Sequence, residues 1–396
     1  MGLITSQPFR LCCMSSNSKQ THISIDYKSN NIIKLQSHIR GHIFRSNHPL
    51  PSLKPNNPNL IQSSRLTNSN SFRKKIREIS PTYSTESYDT NEVIIKLKKL
   101  LPEFKLNEKE EFILTTKNQE YRTVGLLYSD NSIYKGTINI NNKHREGYGT
   151  FYFKDGSIYI GFFKDDKIQG RGQLFNVNGF VYEGDFTDSK ANGYGKLYDL
   201  NGLVYKGSWV NDKRNGIGQE INPDGSKYEG AFIDGRKEGK GKCTFKDGTT
   251  YEGDFVNDQI KGEGIKQSRD GRIYIGQWVN NKMDGYGIYV WPDKKKYSGH
   301  YCQDIKEGFG IFEWTSYKRF IGFWKEGFQH GFGVIEHDGN ILEYGEYFKG
   351  KLVRIFDDDE NITFVNVEIE KAKNDEKYLE FIRKMDSYED LIKSNK

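Results

Sequence analysis

A 23-residue repeat constrains this chain of 396 residues more than any other feature of its sequence. The pattern Tyr-x-Gly starts at Tyr134, and its first position recurs at Tyr159, Tyr182, Tyr205, Tyr228, Tyr251, Tyr274, Tyr297 and, as phenylalanine, Phe320. The first step is 25 residues long and every later step is 23. A Gly-x-Gly pair keeps the same phase from Gly147/Gly149 to Gly331/Gly333. Such a period indicates an array of equivalent supersecondary units.

Each unit is predicted to be a β-hairpin. The segment YEGDF (251–255) alternates apolar or small residues with acidic ones, which is typical of a half-buried strand. A polar turn follows, and the second strand runs through Gly262 and Gly264 to the tight-turn signal Asp270-Gly271. Glycine at alternate positions removes the side chains from one face of the strand. We therefore expect an aromatic ring of a neighbouring hairpin to lie against the bare backbone.

This aromatic–glycine ladder is the predicted core of the array. An aromatic residue usually stands two positions after the glycine of Tyr-x-Gly, as at Phe255. The bulk composition agrees, because aromatic residues make up 14 % of the chain and 41 residues are glycine. We assign the ladder to Tyr182, Gly184, Tyr205, Gly207, Tyr228, Gly230, Tyr251, Gly253, Gly262, Gly264, Tyr274 and Gly276.

The unit "YEGDF…GxGxxxxxDG" resembles the MORN repeat (membrane occupation and recognition nexus), over roughly residues 131–349. The resemblance implies an all-β, elongated array of about ten β-hairpins. Proteins with similar repeats act at membranes and in cortical or ciliary structures, and some self-associate through their C-terminal copies. Phosphoinositide binding is also attributed to the family. The late segments "KKKYSG" and "TSYKRFIG" lack the Asp-Gly turn, so they are candidates for a bend or a partner surface.

Four segments are predicted along the chain. Residues 1–89 form a disordered basic leader, 90–130 a short helix and N-terminal cap, 131–356 the repeat array, and 357–396 a C-terminal strand and helix cap. The first helix is capped by Thr90 or Asn91 and stopped at Pro102. In the last segment we expect "ITFVNVEI" to be a strand after the turn "DDDEN", and a helix from about Asn374.

The leader carries the positive charge of the chain. Residues 1–75 hold eleven Lys or Arg residues and one acid, Asp26, whereas the rest of the chain has a net charge of −4. The start "MGLITS" fits the N-myristoylation pattern with Gly2 as acceptor, and Cys12 and Cys13 are candidates for palmitoylation. The basic run Arg73, Lys74 and Lys75 would attract anionic lipids. A cleaved organelle-targeting peptide and a plain disordered tail are the alternative interpretations.

No sequence motif for catalysis was found. The glycines form neither a Gly-x-x-x-x-Gly-Lys-Ser/Thr loop nor a Gly-x-Gly-x-x-Gly fingerprint. The Asp-Gly pairs are interpreted as turns rather than calcium ligands, and the acidic run Asp357–Glu360 as a solvated turn. We expect no cofactor and no metal. The acidic net charge of the array also argues against nucleic acid as a partner.

These observations predict a non-catalytic, membrane-associated scaffold at the cytosolic face of a membrane or at the cell cortex. Its expected partners are anionic lipids, with phosphoinositides as one candidate, unidentified proteins, and a second copy bound through the C-terminal repeats. One alternative is a cytoskeletal or ciliary component without a membrane anchor. Another is a regulatory protein related through its repeats to phosphatidylinositol-4-phosphate 5-kinases, although the roughly 45 residues after the array are too few for a kinase domain.

Overall fold

The computed structural model describes residues 76–101 and 120–394, in which strands predominate. These residues contain 22 β-strands and four α-helices. The strands are β1 (Arg77–Ile79), β2 (Tyr121–Leu127), β3 (Ile133–Asn139), β4 (Arg145–Tyr152), β5 (Ile158–Lys164), β6 (Lys167–Asn176), β7 (Phe180–Thr187), β8 (Lys190–Asp199), β9 (Val204–Val210), β10 (Lys213–Ile221), β11 (Lys227–Ile233), β12 (Arg236–Thr244), β13 (Thr250–Val256), β14 (Gln259–Gln267), β15 (Ile273–Val279), β16 (Lys282–Val290), β17 (Lys296–Cys302), β18 (Ile305–Thr315), β19 (Lys318–Lys325), β20 (Phe328–His337), β21 (Asn340–Phe348) and β22 (Lys351–Ile355). The helices are α1 (Glu86–Asp89), α2 (Glu92–Lys98), α3 (Asp359–Lys373) and α4 (Glu376–Ser394). The predicted all-β class and the hairpin repeat are confirmed.

The described residues form two compact units, which divide between Lys246 and Asp247. In the first unit, strands β1 to β12 pair antiparallel with their neighbours in the chain. In the second unit, β13 to β22 pair in the same way. The register places glycine opposite glycine on successive strands, as in Gly253↔Gly264 and Gly264↔Gly276. Each unit therefore has a row of glycines running across its strands.

Two turn types alternate along the array. The turn inside a repeat consists of two residues with positive φ, such as Asn257 (51°) and Asp258 (68°), which is the type I′ geometry that matches the twist of paired strands. The turn between repeats is the predicted Asp-Gly turn, in which Gly271 has a φ of 88° and the Asp270 carboxylate accepts a hydrogen bond from the backbone N–H of Arg272. The sequence predicted the Asp-Gly turn between repeats in detail, but it predicted the turn inside a repeat only as a polar turn.

The type I′ turns also connect neighbouring hairpins. The backbone N–H of Asp212 donates to the carbonyl oxygen of Ala191 at 3.0 Å. In return, the Asp212 carboxylate accepts a hydrogen bond from the backbone N–H of Ala191 at 2.7 Å, across 21 residues of sequence. Ser189 makes the equivalent pair of bonds with Ile168. In these copies a hairpin is thus joined to the preceding one at its turn as well as along its strands.

The tyrosine rings lie on one face of the strands, which we call the ring face. Tyr251 is fully buried, and a Cβ added to Gly264 would lie 2.3 Å from its hydroxyl oxygen. A Cβ added to Gly253 would lie 2.5 Å from the same atom. Both glycines belong to the hairpin of Tyr251 itself, so the prediction that a neighbouring hairpin supplies the ring is wrong. The i, i+2 spacing on a strand puts the ring directly over its own glycine.

Neighbouring hairpins contribute the second aromatic residue instead. The ring centroids of Tyr251 and Phe255 are 5.3 Å apart, and those of Tyr251 and Trp278 are 5.4 Å apart, both in edge-to-face geometry. Tyr274 continues the series with Trp278 at 5.1 Å and with Tyr301 at 5.4 Å. Edge-to-face pairs of this kind are the favoured arrangement of aromatic quadrupoles. The ladder is therefore a zigzag of rings in which each tyrosine contacts two neighbours.

Two predictions about the ends of the array are wrong. The segment 359–373, predicted to contain a strand, is the helix α3, and its N-cap Asp358 accepts a hydrogen bond from the backbone N–H of Asn361 at 2.8 Å. The acidic run is therefore a helix start rather than a turn, since acidic side chains favour the first turn of a helix. The predicted disordered leader is also too long, because β1 and α1 lie within residues 77–89 and β1 pairs with β2.

The predicted first helix is confirmed as α2, which begins where the sequence indicated. The side chain of Asn91 accepts hydrogen bonds from the backbone N–H groups of Val93 and Ile94, which is the expected N-cap geometry. The helix ends at Lys98, before the predicted stop at Pro102, which lies outside the described residues. Among residues 76–101 and 120–394, no helix combines the length and apolar character needed to span a bilayer.

Candidate functional site

The ladder tyrosines use their hydroxyl groups as well as their rings. The hydroxyl of Tyr251 donates a hydrogen bond to the carbonyl oxygen of Asp254 at 3.1 Å. Asp254 lies at a β-bulge, since Gly253 pairs with Gly264 but Phe255 pairs with Ile260. The equivalent bond recurs in the copies from Tyr134 to Tyr297. A phenylalanine, as at position 320, cannot make this bond, which explains the preference for tyrosine.

The first glycine of each Gly-x-Gly pair has a different role from the second. Gly262 has a φ of 98°, which is unfavourable for any residue with a Cβ. The Asp254 carboxylate next to it accepts a hydrogen bond from the backbone N–H of Glu263 at 3.0 Å. A Cβ on Gly262 would lie 2.8 Å from that carboxylate. Gly262 thus permits the bulge, whereas Gly264 makes room for the ring.

Some copies place a basic side chain among the rings, two residues before the Gly-x-Gly pair. Arg145 occupies this position in one copy, and its Nε lies 3.2 Å from Oδ1 of Asp166, with both side chains buried. Arg214 and Lys237 occupy it in two others, and both pair with the buried carboxylate of Glu220. Burial by itself would raise the pKa of Glu220, but Lys237 and Arg214 outweigh that effect and lower it. Each of these buried cations is therefore paired with a buried carboxylate, which Arg214 and Lys237 share.

The face opposite the rings, which we call the variable face, is covered by α2 in part of the first unit. Ile94 and Leu97 of α2 are fully buried. They pack in one cluster with Ile158, Phe175 and Val181, which alternate with ring-face residues on β5 to β7. Burial of these side chains fixes the short helix on the sheet, since a seven-residue helix has little stability alone.

Helices α3 and α4 cover the variable face of the second unit. Val365 and Ile369 of α3 and Tyr378 and Phe381 of α4 are buried in one cluster with apolar residues of the strands. The rings of Phe381 and Tyr286 stack with centroids 5.5 Å apart and planes 20° apart. This apolar cover buries the side chains of Ile273, Ile275, Ile288, Phe309, Ile321 and Val334.

Between residues 183 and 242 the variable face is polar and open to solvent. Glu229 is exposed, and the side-chain amide of Gln219 donates to its carboxylate at 2.5 Å. Apolar side chains also stand among these polar groups, and the two most exposed are Tyr194 (57 %) and Ile217 (70 %). Exposed apolar groups within a polar surface are typical of protein contact sites. This stretch is the candidate functional surface of the described residues.

One sequence signal for this difference was overlooked. The residue between Tyr and Gly in Tyr-x-Gly is charged at Glu183, Lys206, Glu229 and Glu252, but it is isoleucine at Ile160, Ile275 and Ile321. The three isoleucines belong to copies whose variable face packs against a helix. This position points away from the rings, so an isoleucine there marks a copy whose variable face is covered, whereas Ser298 shows that a small polar residue can be buried there too.

The predicted lipidation and membrane-contact residues cannot be placed on this surface. Gly2, Cys12, Cys13, Arg73, Lys74 and Lys75 lie outside the described residues. All twelve residues assigned to the aromatic–glycine ladder, in contrast, lie on strands β7, β9, β11 and β13 to β15. In the part of the chain that the structure describes, no group of three or more His, Cys, Asp or Glu residues has the geometry to hold a metal ion.

Several solved structures resemble parts of this chain. A mutant of the TCP10 domain of Danio rerio CPAP is 12 % identical with a TM-score of 0.30, and the match covers 57 % of this chain and 99 % of that one. The TCP domain of SAS-4 (dCPAP) of Drosophila melanogaster, solved with a proline-rich motif of Ana2, is 12 % identical with a TM-score of 0.22, covering 51 % and 99 %. TM-scores of this size do not establish a shared global fold. No curated protein is significantly similar in sequence.

A family model gives a more specific result. The model described as "MORN repeat" matches residues 141–158, 159–180, 182–204, 205–227, 228–250, 251–271, 274–296, 297–319 and 320–338. The first segment covers strand β4, and each of the other eight begins at a ladder ring, from Tyr159 to Phe320, and runs through one hairpin. The chain therefore belongs to the MORN-repeat family.

Proposed function

We propose that the protein is a non-catalytic scaffold that is tethered to the cytosolic face of a membrane and presents partner proteins on its variable face. The observation that carries the proposal is the division between the two faces. The repeated residues are used in packing, whereas the solvent-facing residues change from copy to copy, as at Glu183, Lys206 and Glu229. A constant frame with variable surface positions is the arrangement by which repeat proteins bind other proteins.

The membrane tether rests on the leader sequence. A single myristoyl chain on Gly2 would bind a bilayer only marginally, so stable attachment needs a second signal. Palmitoylation of Cys12 or Cys13 would supply one, and the basic run 73–75 would add about 1 kcal/mol per residue near an anionic surface. Anionic lipids, with phosphoinositides among them, are the proposed lipid partners.

Fractionation of cells that express leader variants tests this tether. We expect Gly2→Ala to move the protein to the soluble fraction, because later acylation depends on the first membrane contact. Cys12→Ala combined with Cys13→Ala should leave weak binding that is lost at high salt, since only the electrostatic part is screened. Gly41→Ala, at the other glycine of the leader, is the matched control and should behave as wild type. Full sedimentation of Gly2→Ala with membranes would favour the cytoskeletal or ciliary alternative instead.

Self-association through the C-terminal copies is a second proposed activity. Strand β22 pairs with β21 and is exposed along its length. Its Val353 and Ile355 are each 59 % exposed, and Leu342 of β21 is 65 % exposed. An exposed apolar edge strand of this kind favours pairing with another strand. A second copy would cover the same residues on both partners.

Light scattering coupled to gel filtration tests this second activity. The full chain should elute as a dimer, and Val353→Lys with Ile355→Lys should elute as a monomer, because like charges would face each other across the interface. Ile217→Lys alters an equally exposed residue elsewhere and should leave the dimer intact. A monomeric wild type at micromolar concentration would contradict self-association without affecting the membrane proposal.

A further inference from the structure

Lys306 lies in a box of four aromatic rings on the ring face. Its Nζ is 4.6 Å from the ring centroid of Trp324, 4.7 Å from that of Phe312, 4.8 Å from that of Tyr297 and 4.9 Å from that of Trp291. A cation within about 6 Å of a ring face is attracted by the ring quadrupole. Four rings at nearly equal distance make this a site shaped for an ammonium group.

Lys306 is half-buried, and its ammonium differs from the buried cations of the ring face. Arg145 pairs with Asp166, and Arg214 and Lys237 pair with Glu220. No carboxylate of residues 76–101 or 120–394 forms an ion pair with Lys306. Burial lowers its pKa to about 8. With a pKa of about 8, roughly one tenth of this amine is unprotonated at pH 7, which is a far larger share than in an ordinary lysine.

We propose that Lys306 is a methyl-acceptor site, and that its own aromatic box holds the methylated ammonium product. The unprotonated nitrogen would attack the methyl carbon of a sulfonium donor. A nitrogen–carbon bond forms and the sulfur–carbon bond breaks, with its electron pair leaving on the sulfur as a thioether. The nitrogen takes over the positive charge and keeps both of its hydrogens, so the product is a methylammonium ion. The one proton released to solvent is the proton that the lysine ammonium loses before the attack. Trp291, Phe312 and Lys306 itself are all only partly buried. This inference goes beyond the proposed scaffold function and does not depend on it.

The box selects methylation over other amine chemistry. A carbamate would place a negative charge against four negative ring faces, which is repulsive. Acylation would remove the positive charge and with it the cation–π attraction. A methylated ammonium keeps the charge, is less strongly hydrated and presents its methyl groups to the rings, as in aromatic cages for methyl-lysine. The site therefore favours a methylated lysine on both electrostatic and solvation grounds.

Reductive methylation of the purified full chain tests this assignment. The protein is treated with ¹³C-formaldehyde and a borohydride reductant, and each lysine is followed by peptide mass mapping and by ¹H–¹³C NMR. We expect Lys306 to be methylated, its methyl signals to be shifted upfield by the rings, and the melting temperature to rise by on the order of 2 °C relative to an identically treated Lys306→Arg variant. Lys261→Arg changes an exposed lysine of the same unit and should match wild type throughout.

The same experiment can overturn the proposal. An unmodified Lys306 in protein whose Lys261 is fully methylated would show that the amine is not an acceptor. Methylated Lys306 without upfield-shifted signals, or with a lowered melting temperature, would show that the box does not hold the product. Lys306→Met is the folding control. Its apolar side chain has a similar length, so the variant protein should be at least as stable as the wild type with its unpaired cation.

Discussion

The variable face differs sharply between residues 183–242 and the stretch under α3 and α4. Both stretches have the same ring face, with glycine opposite glycine and a tyrosine, or Phe320 in one copy, over each pair. On the other side of the strands, the first stretch carries groups such as Lys196 and Glu229, and the second carries Ile275 and Ile288. The ring face therefore determines the fold of each copy, whereas the variable face determines what can cover it.

The largest expected effect comes from truncating the covered variable face. Ile288→Ala removes a side chain with no exposed surface, and we expect it to lower the free energy of unfolding by about 4 kcal/mol. Lys196→Ala alters the equivalent position of the open stretch and should change the free energy by less than about 0.5 kcal/mol. Urea unfolding of the two variants measures both. Equal losses in the free energy of unfolding would mean that the helices do not stabilise the covered stretch more than solvent stabilises the open one.

A somewhat smaller effect is expected on the ring face, and it should be the same in both units. Gly253→Val and Gly207→Val each place a side chain against the opposite glycine backbone and the tyrosine hydroxyl, at distances below 3 Å, and each should cost about 3 kcal/mol. Glu252→Val, on the exposed variable face of the same strand, is the control and should cost far less. Thermal melting of the three variants checks this expectation. If Gly207→Val melts at the same temperature as the wild type, the ring face does not stabilise the two units in the same way.

The smallest expected effect isolates the tyrosine hydroxyl. Tyr274→Phe keeps the ring and removes the hydrogen bond to the carbonyl oxygen of Gln277, which is 3.0 Å long. We expect a loss of about 1 kcal/mol in the free energy of unfolding. Phe320→Tyr is the reverse change in a copy that has no hydroxyl, and it should not destabilise the protein if the bulge there accepts the same bond. Chemical denaturation of both variants is the measurement, and an unaltered Tyr274→Phe would show that the hydroxyl bond adds no stability.

The repeat frame was predictable from the sequence because every copy supplies the same local information. The spacing of Tyr251, Gly253 and Gly264 indicated the strands, the turn at Asp270-Gly271 and the bare backbone face. It did not indicate that each ring covers its own glycines, since alternation defines a face but not which hairpin fills it. The type I′ geometry of the two-residue turns was also not predicted, because Asn257 and Asp258 adopt positive φ although neither is glycine.

The non-repeated parts were harder to predict. The segment around Val365 and Ile369 alternates like a strand over a short window, but a helical spacing of four residues places both side chains in the same buried cluster. Lys306 could not be recognised as unusual from its own copy. Its environment combines Trp291 from the preceding repeat and Trp324 from the following one, so only the folded array brings the four rings together.

The reciprocal bonds at the type I′ turns have a consequence for how such a gene can change its length. Asp212 bonds back to Ala191 as Ser189 bonds back to Ile168, and Gly235 keeps the backbone half of the same pair with Arg214, so the connections repeat from copy to copy. Loss or duplication of any 23 consecutive codons within the regular copies would preserve glycine facing glycine and every joint, whereas a change of one codon would turn the tyrosines to the wrong side. Copy number in this array is therefore free to vary in whole steps, while the length of each copy is fixed.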